Sequence, residues 1–231
     1  MSRIVLKLSG EALAGPKGTG FDLDTCKMVA GQVKELVEKG TQIGVVIGGG
    51  NFWRGRTGTE IDRVKSDQIG MLATVMNCIY VSEVFRSVGM KTEILTPFAV
   101  EGFTRVFSKD LADELLKDHT VVFFAGGTGH PYFSTDTGVV LRAIEVDADA
   151  ILMAKNVDGI YDSDPAKNPA AKRYDVLPIQ TIIEKNLQAI DMTASILARD
   201  NSMPMRIFDL NEENSIIKAE SGSFNGTTVT V

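Results

Sequence analysis

Short β-branched and aromatic runs alternate along the chain with longer stretches whose apolar residues recur every three or four positions. The runs at 4–6, 43–47, 91–96, 120–125, 150–154, 205–208 and 227–231 read as strands. Most are too continuously apolar to keep one face in water. Between them, Val29, Val33, Leu36 and Val37 mark a helix over 24–39, with Asp24 as its N-cap and Gly40 as its stop. A helix at 108–117 is capped by Ser108. Another follows Asp136 and carries Val139, Val140, Ile144 and Val146, and shorter helices fall at 179–184 and 193–200. Strands alternating with helices throughout predict an α/β layered fold with a mainly parallel sheet. Ligands of such sheets bind beyond the carboxyl ends of the strands.

The pattern at 66–88 is different. Ile69, Leu72, Ala73, Met76, Ile79, Tyr80, Val84 and Phe85 cover more than half the circumference of the helix they predict, with Ser66 as its cap. So wide an apolar arc is buried on two sides. One side faces the sheet. The other faces either the rest of the same subunit or a second subunit.

Composition narrows the classes. At 231 residues the chain can bury a substantial core without staples. Its net charge of −6 argues against a general nucleic-acid surface but leaves room for a local basic pocket. Cys26 and Cys78 have no motif spacing and read as reduced, buried residues of a cytoplasmic protein. The apolar start is broken by Lys7 and is too short for a signal peptide. No run approaches the roughly 18 apolar residues of a membrane helix. No repeat, low-complexity segment or long linker divides the chain, so residues 1–231 read as one domain.

Four strand ends carry unusual residues. Lys7, Leu8, Ser9 and Gly10 close the first strand; Lys7 is either a surface lysine beside a turn or a charge aimed at a ligand. The second strand runs into Gly48, Gly49 and Gly50, with Arg54 beyond. Three glycines allow positive φ or a close approach to the backbone, as an anion-binding concavity requires or as a sharp turn requires. Gly126 to Asp136 follows the central strand, and Lys155 to Asp164 follows the next; the aspartates there are either turn formers or site residues. The glycine-rich stretch 15–20 reads as a mobile loop and lacks the spacing of a Walker A loop. There is no serine–histidine pattern and no zinc spacing. Glycine-lined amides with Lys7 and Arg54 favour a polyanion, and phosphoryl transfer needs positioning and charge neutralisation more than a covalent nucleophile.

These residues carry a resemblance. Lys7-Leu8-Ser9-Gly10-Glu11-Ala12-Leu13, Ile47-Gly48-Gly49-Gly50-Asn51 with Arg54, Asp62-Arg63 with Asp67, the run Gly127 to Asp136, Val157-Asp158-Gly159-Ile160-Tyr161 with Asp164-Pro165, and Asp191-Met192-Thr193-Ala194 together resemble the bacterial UMP kinases of the amino acid kinase superfamily. The likeness covers nearly the whole chain. His130 stands where the family more often has asparagine.

The resemblance implies a three-layer α/β/α sandwich, a homohexamer built from dimers, and Mg²⁺-dependent transfer of the ATP γ-phosphoryl group to UMP. Carried over residue by residue, Lys7, Leu8, Ser9, Gly10, Gly50 and Arg54 hold the ATP phosphates. Tyr161 and Asp164 line the adenosine site, with Lys155 or Asn156 beside them. UMP falls to Gly49, Thr128, Gly129, His130, Pro131, Tyr132, Phe133, Ser134 and Thr135, with Asp67 on the ribose. Lys7, Arg54, Asp136 and Asp191 form the reaction centre; no metal ligand is assigned, Mg²⁺ resting mainly on the nucleotide phosphates. The acceptor site thus lies in the N-terminal part and the ATP site in the C-terminal part. The family also implies GTP as activator, through the 15–20 loop, and UTP as inhibitor. Two rivals stand beside this reading. One is a superfamily enzyme acting on a carboxylate or carbamate, against which the 128–136 segment argues. The other is a nucleotide-binding regulator, which would have no use for Lys7, Arg54, Asp136 and Asp191 together.

Overall fold

Ile4 and Leu6 of the first strand enter one apolar core, and Val5 between them enters another. The same period-2 alternation, repeated on each central strand, separates two helical layers by one sheet. A computed structural model describes residues 2–54 and 61–231. The first half of the chain supplies β1 (Arg3–Leu8), α1 (Gly10–Leu13), α2 (Leu23–Glu38), β2 (Gln42–Ile47), α3 (Arg63–Ser87), β3 (Thr92–Thr96), β4 (Arg105–Val106), α4 (Lys109–Lys117), β5 (Val121–Phe124) and α5 (Thr135–Glu145). The second half supplies β6 (Ala150–Lys155), β7 (Ile160–Tyr161), β8 (Arg173–Tyr174), β9 (Val176–Pro178), α6 (Ile179–Glu184), α7 (Met192–Asp200), β10 (Met205–Asp209), α8 (Ser215–Ser221) and β11 (Gly226–Thr230).

Among the described residues, nine strands form one sheet in the order β4-β3-β5-β2-β1-β6-β10-β11-β9. Every pairing in it is parallel except β10 with β11. A separate antiparallel hairpin joins β7 to β8. Helices α2, α3 and α8 pack on one face through residues such as Val29, Phe85 and Ile216. Helices α4, α5, α6 and α7 pack on the other through Leu116, Val140, Ile182 and Ala198. This is the α/β/α sandwich with a mainly parallel sheet that the sequence led us to expect.

Several boundaries differ from the sequence reading, for local physical reasons. Helix α2 is capped by Asp22, whose carboxylate accepts the Thr25 amide at 2.8 Å, and not by Asp24. Helix α3 starts three residues before Ser66, capped by Asp62 through the Lys65 amide. Ser66 lies inside the helix, fully buried, and accepts the Trp53 indole N–H at 2.9 Å. An apolar period anchors a helix on its first buried residue and misses a polar turn upstream. The two-residue strands and the short α1 and α8 carry too few positions to show a period.

Loop 15–20 is fastened more than its glycines suggest. Thr19 Oγ1 donates to the Asn51 carbonyl, and Asn51 Nδ2 donates to the Gly20 carbonyl. Both cysteines are buried, and burial pushes the Cys26 thiol up to about 11 and raises that of Cys78 further. Helix α3 is long and apolar enough by length and composition to cross a membrane, although no plain apolar run reveals this; half of its most apolar window is buried in the fold. Its inner side carries Ala73, Val75, Cys78, Val81 and Phe85, and its outer side exposes Ile69, Leu72, Met76 and Ile79. Tyr80 turns inward and stacks on Phe21 with ring centres 3.9 Å apart.

Candidate active site

The order of strands reverses between β1 and β6. From β1 the sheet grows outward through β2, β5 and β3, and from β6 through β10 and β11. Carboxyl ends of strands at such a reversal frame the binding crevice of open α/β sheets. Each of the two strands delivers a lysine there. Lys7 shares the α5-facing side of β1 with Val5, so its ammonium runs under the start of that helix. Its Nζ lies 3.2 Å from Asp136 Oδ1, with only 12% of the side chain exposed. Lys7 is therefore not the exposed tip that its position at a strand end suggested. Lys155, the last residue of β6, approaches the other oxygen of Asp136 at 3.7 Å and donates to the Ala189 carbonyl. Burial lowers the pKa of Lys155; Asp136 opposes that shift and Lys7 reinforces it.

Asp136 occupies the first turn of α5, where a helix dipole favours a negative charge. Ser134 caps that helix by accepting the Thr137 amide, and its hydroxyl donates to Asp191 Oδ2. Thr137 Oγ1 also reaches Asp191 at 3.2 Å. Asp191 in turn caps α7 through the Ala194 amide at 2.9 Å. One carboxylate thus locks the starts of two helices beside the paired lysines.

A cleft of about 370 Å³ opens next to this cluster. Its walls include Glu11, Gly49, Gly50, Arg54, Arg63, Asp67, Met71, Thr128, His130, Phe133, Ser134 and Thr135. A Cβ on Gly49 would fall 2.8 Å from the Gly70 carbonyl, and one on Gly50 would fall 2.7 Å from Glu11 Oε1. Gly49 is therefore held as glycine by the backbone of α3, whereas Gly50 meets only the movable end of Glu11; left-handed backbone belongs instead to Gly126, Gly127 and Gly129. Arg54 sits exposed at the cleft and pairs with Glu11 at 2.7 Å.

The remaining sequence candidates fall in distinct places. Gly129 and Pro131 line a separate groove of about 300 Å³ with Phe98 and Leu72, and Tyr132 is exposed. Leu8 is a core side chain whose carbonyl accepts the Gly48 amide, so only backbone is offered there. The Ser9 carbonyl accepts the Leu13 amide and holds the turn of α1. A Cβ on Gly10 would collide with the Gly48 carbonyl at 2.3 Å. Asn156 is exposed beyond Lys155. Tyr161 donates to Asp158, which also pairs with Arg173 at 2.8 Å. Asp164 accepts the Ala166 amide as a turn former does. Among the described residues, no group of three or more His, Cys, Asp or Glu side chains is arranged to hold a metal ion.

Some neighbours escaped the sequence reading. Glu11 stood in the quoted motif without a role, and it holds Arg54. Arg63 pairs with Asp67 at 2.9 Å. Asn77, which donates to Asn51 and to the Gly48 carbonyl, was not among the sequence candidates.

Fold and sequence agree on what these residues belong to. The chain belongs to the amino acid kinase family, which it matches over residues 2–209. A uridylate kinase of Limosilactobacillus reuteri strain DSM 20016 is 47% identical over 230 residues, which are 98% of this chain and 96% of that protein. The UMP kinase structure from Bacillus anthracis superposes with a TM-score of 0.95 at 35% identity, covering 99% of this chain and 96% of that one. That from Ureaplasma parvum gives 0.94 at 31%, covering 100% and 99%.

Proposed function

We propose that the chain is a UMP kinase, transferring the ATP γ-phosphoryl group to UMP to give UDP and ADP. The observation that carries the reading is the pair of lysines, one from each half of the sheet, meeting at Asp136 beside a glycine-walled cleft. A nucleoside monophosphate has a second pKa of about 6, so its phosphate is mostly a dianion at neutral pH. No general base is then needed. The work is to bring two anions together, and fixed cations in a low-dielectric site serve that best as charge redistributes. Lys7 and Lys155 neutralise the transferring group, and Asp136 keeps the two ammonium groups from repelling each other. Asp191 fixes the start of α5 and so the placement of Asp136. Arg54 swings between Glu11 and phosphate oxygens.

In this reading UMP lies in the cleft with Gly49, Asp67 and Thr128 to Thr135, within the N-terminal part of a single domain. ATP lies on the C-terminal side, past Gly10 and Lys155 toward Tyr161 and Asp164. Mg²⁺ fits a site without a dedicated carboxylate set, because it keeps several waters and binds through substrate phosphates. When bound it neutralises phosphate charge. The outer face of α3 pairs with a second copy on the way to a homohexamer, and the enzyme works in the cytoplasm, in pyrimidine nucleotide synthesis. GTP activates and UTP inhibits.

A coupled assay tests this with ATP and, in turn, UMP, CMP, carbamate, aspartate and acetylglutamate. Turnover is expected with UMP. Turnover with carbamate or an amino acid and none with UMP would overturn the assignment, and nucleotide binding without turnover would favour a regulator. GTP and UTP added to the same assay read out regulation.

A further inference from the structure

Helix α3 buries Asn77 completely, and the loop after β2 buries Asn51 to 3% exposure. The two side chains bond reciprocally. Asn51 Nδ2 donates to Asn77 Oδ1 at 3.0 Å, and Asn77 Nδ2 donates to Asn51 Oδ1 at 2.8 Å. The second proton of each amide is also used: Asn51 donates to the Gly20 carbonyl at 2.9 Å and Asn77 to the Gly48 carbonyl at 2.7 Å. Those carbonyls fix which way both amides face, since an amide oxygen turned toward either would meet lone pairs. Thr19 Oγ1 donates to the backbone carbonyl of Asn51 at 2.8 Å.

Two buried amides cost more than two leucines unless every polar group is paired. Here all four donors are, and a closed network of this kind rigidifies what it touches. It touches four segments. Gly48 opens the glycine triplet. Gly10 starts α1, and a Cβ there would lie 2.5 Å from Asn51 Oδ1. Thr19 and Gly20 belong to the loop before α2. Asn77 anchors the whole to α3, which also presses on Gly49 through Gly70. Neither asparagine lines the cleft, so both act through residues that do.

We propose that Asn51 and Asn77 are positioning residues for phosphoryl transfer: their closed amide pair sets the spacing between the glycine triplet and Gly10 and ties the 15–20 loop to both. The proposal rests on the phosphoryl-transfer reading above. An apolar pair of the same volume would fill the space without fixing the Gly48 and Gly20 carbonyls. The pair also makes the 15–20 loop a structural neighbour of the phosphate-handling backbone, although no side chain of that loop reaches the cleft.

Asn77→Asp keeps the shape and replaces the two amide donors with at most the single proton of a buried carboxylic acid. In the full-length protein its kcat for UMP phosphorylation should fall on the order of 100-fold, as expected when reacting groups shift by about 1 Å, with KM for both nucleotides within about threefold of the parent. Amide hydrogen exchange at 48–51 and at 19–21 should quicken together. A variant with a lowered melting temperature, parental kcat where both proteins are folded, and unchanged exchange at 48–51 would overturn the proposal. So would faster exchange in one segment alone. If Asn77→Asp does not fold, Thr19→Val takes its place. Thr19 is exposed, so the fold should tolerate the change, and losing one hydrogen bond should lower kcat roughly fivefold; parental kcat there would also count against the proposal. A parent protein without UMP turnover would sink the proposed function instead, and the exchange measurement would still decide whether the pair ties the segments.

Discussion

Asp67 and Tyr132 are joined across the cleft wall, the Asp67 carboxylate accepting the Tyr132 amide at 2.7 Å. Tyr132 is in the left-handed region at φ 71°, an uncommon place for a bulky residue. The same Oδ2 takes the Arg63 Nε–H at 2.9 Å, and the Arg63 guanidinium lies 5.4 Å from the Tyr132 ring centre. One oxygen therefore clips the 128–133 loop to α3. Oδ1 has no hydrogen-bond partner among the described residues, and Asp67 lines the cleft.

Asp67→Ala should consequently fail in two ways. Charged hydrogen bonds are worth about 1.5–3 kcal/mol, so kcat/KM for UMP should drop roughly 10–150-fold while KM for ATP stays nearly constant. The melting temperature should fall as well, because the Tyr132 loop loses its clip. Asp67→Asn separates the two effects, since its amide oxygen can still accept from Tyr132. Steady-state kinetics with UMP and deoxy-UMP at saturating ATP, alongside melting curves, check both variants. Lost stability with parental UMP constants would leave Asp67 as a loop clip only.

Lys7→Met is expected to slow turnover by about 10²- to 10³-fold, the usual size when one fixed donor at a developing charge is removed. Its burial under α5 means that stability must change too, because Asp136 loses the closer of its two lysines. Rates should be compared at a temperature where melting curves show both proteins folded. Equal turnover there would remove Lys7 from the chemistry.

The contrast between Lys7 and Asn77 shows what a sequence can reveal. Strand runs such as 120–125 were plain because period-2 burial leaves a continuous apolar signature, and the sheet followed. The clusters at strand ends were legible because glycine, lysine and aspartate are conspicuous there. Their pairings were not. Lys7 looked exposed because nothing in one dimension shows α5 crossing over it, and the pairing of Lys155 with Asp136 was hidden because the two lie on different elements. Asn77 was silent, since its bonding to Asn51 and Gly48 depends on how α3 meets the β2 loop. Asp62 and Asp22 as caps were missed because a cap precedes the apolar period it serves.

The outer stripe of α3 makes a prediction about assembly. Ile69, Leu72, Met76 and Ile79 recur at helical spacing and are between 37% and 53% exposed. A contiguous apolar face of this kind marks an interaction surface. Met76→Lys should therefore lower the mass seen by light scattering without lowering the melting temperature of the separated subunit. Tyr80 is a poor probe of the same surface, because its ring stacks on Phe21 inside the subunit. An unchanged mass for Met76→Lys would leave the stripe without a role in assembly.

Lys155 supplies the test by pH. Burial holds its pKa below that of an ordinary lysine, with the pull of Asp136 only partly restoring it. In the unfolded chain the group returns to about 10.4. Between the folded and the unfolded value, the unfolded state binds more protons than the folded one, so stability contributed by this residue rises with pH across that interval. Below the folded value both states are protonated and the cost of burying the charge is fully present. Lys155→Met removes the titration and the cost together. The melting temperature of the parent, measured relative to that of Lys155→Met, should therefore climb as pH rises from the lowered folded value toward the unfolded lysine value of about 10.4. Turnover should move the opposite way, because a neutral Lys155 no longer offsets phosphate charge: the parent's kcat should fall as pH rises through the same interval. A difference in melting temperature that stays flat with pH would show that Lys155 titrates like an exposed lysine, and would remove burial as the source of its shifted charge.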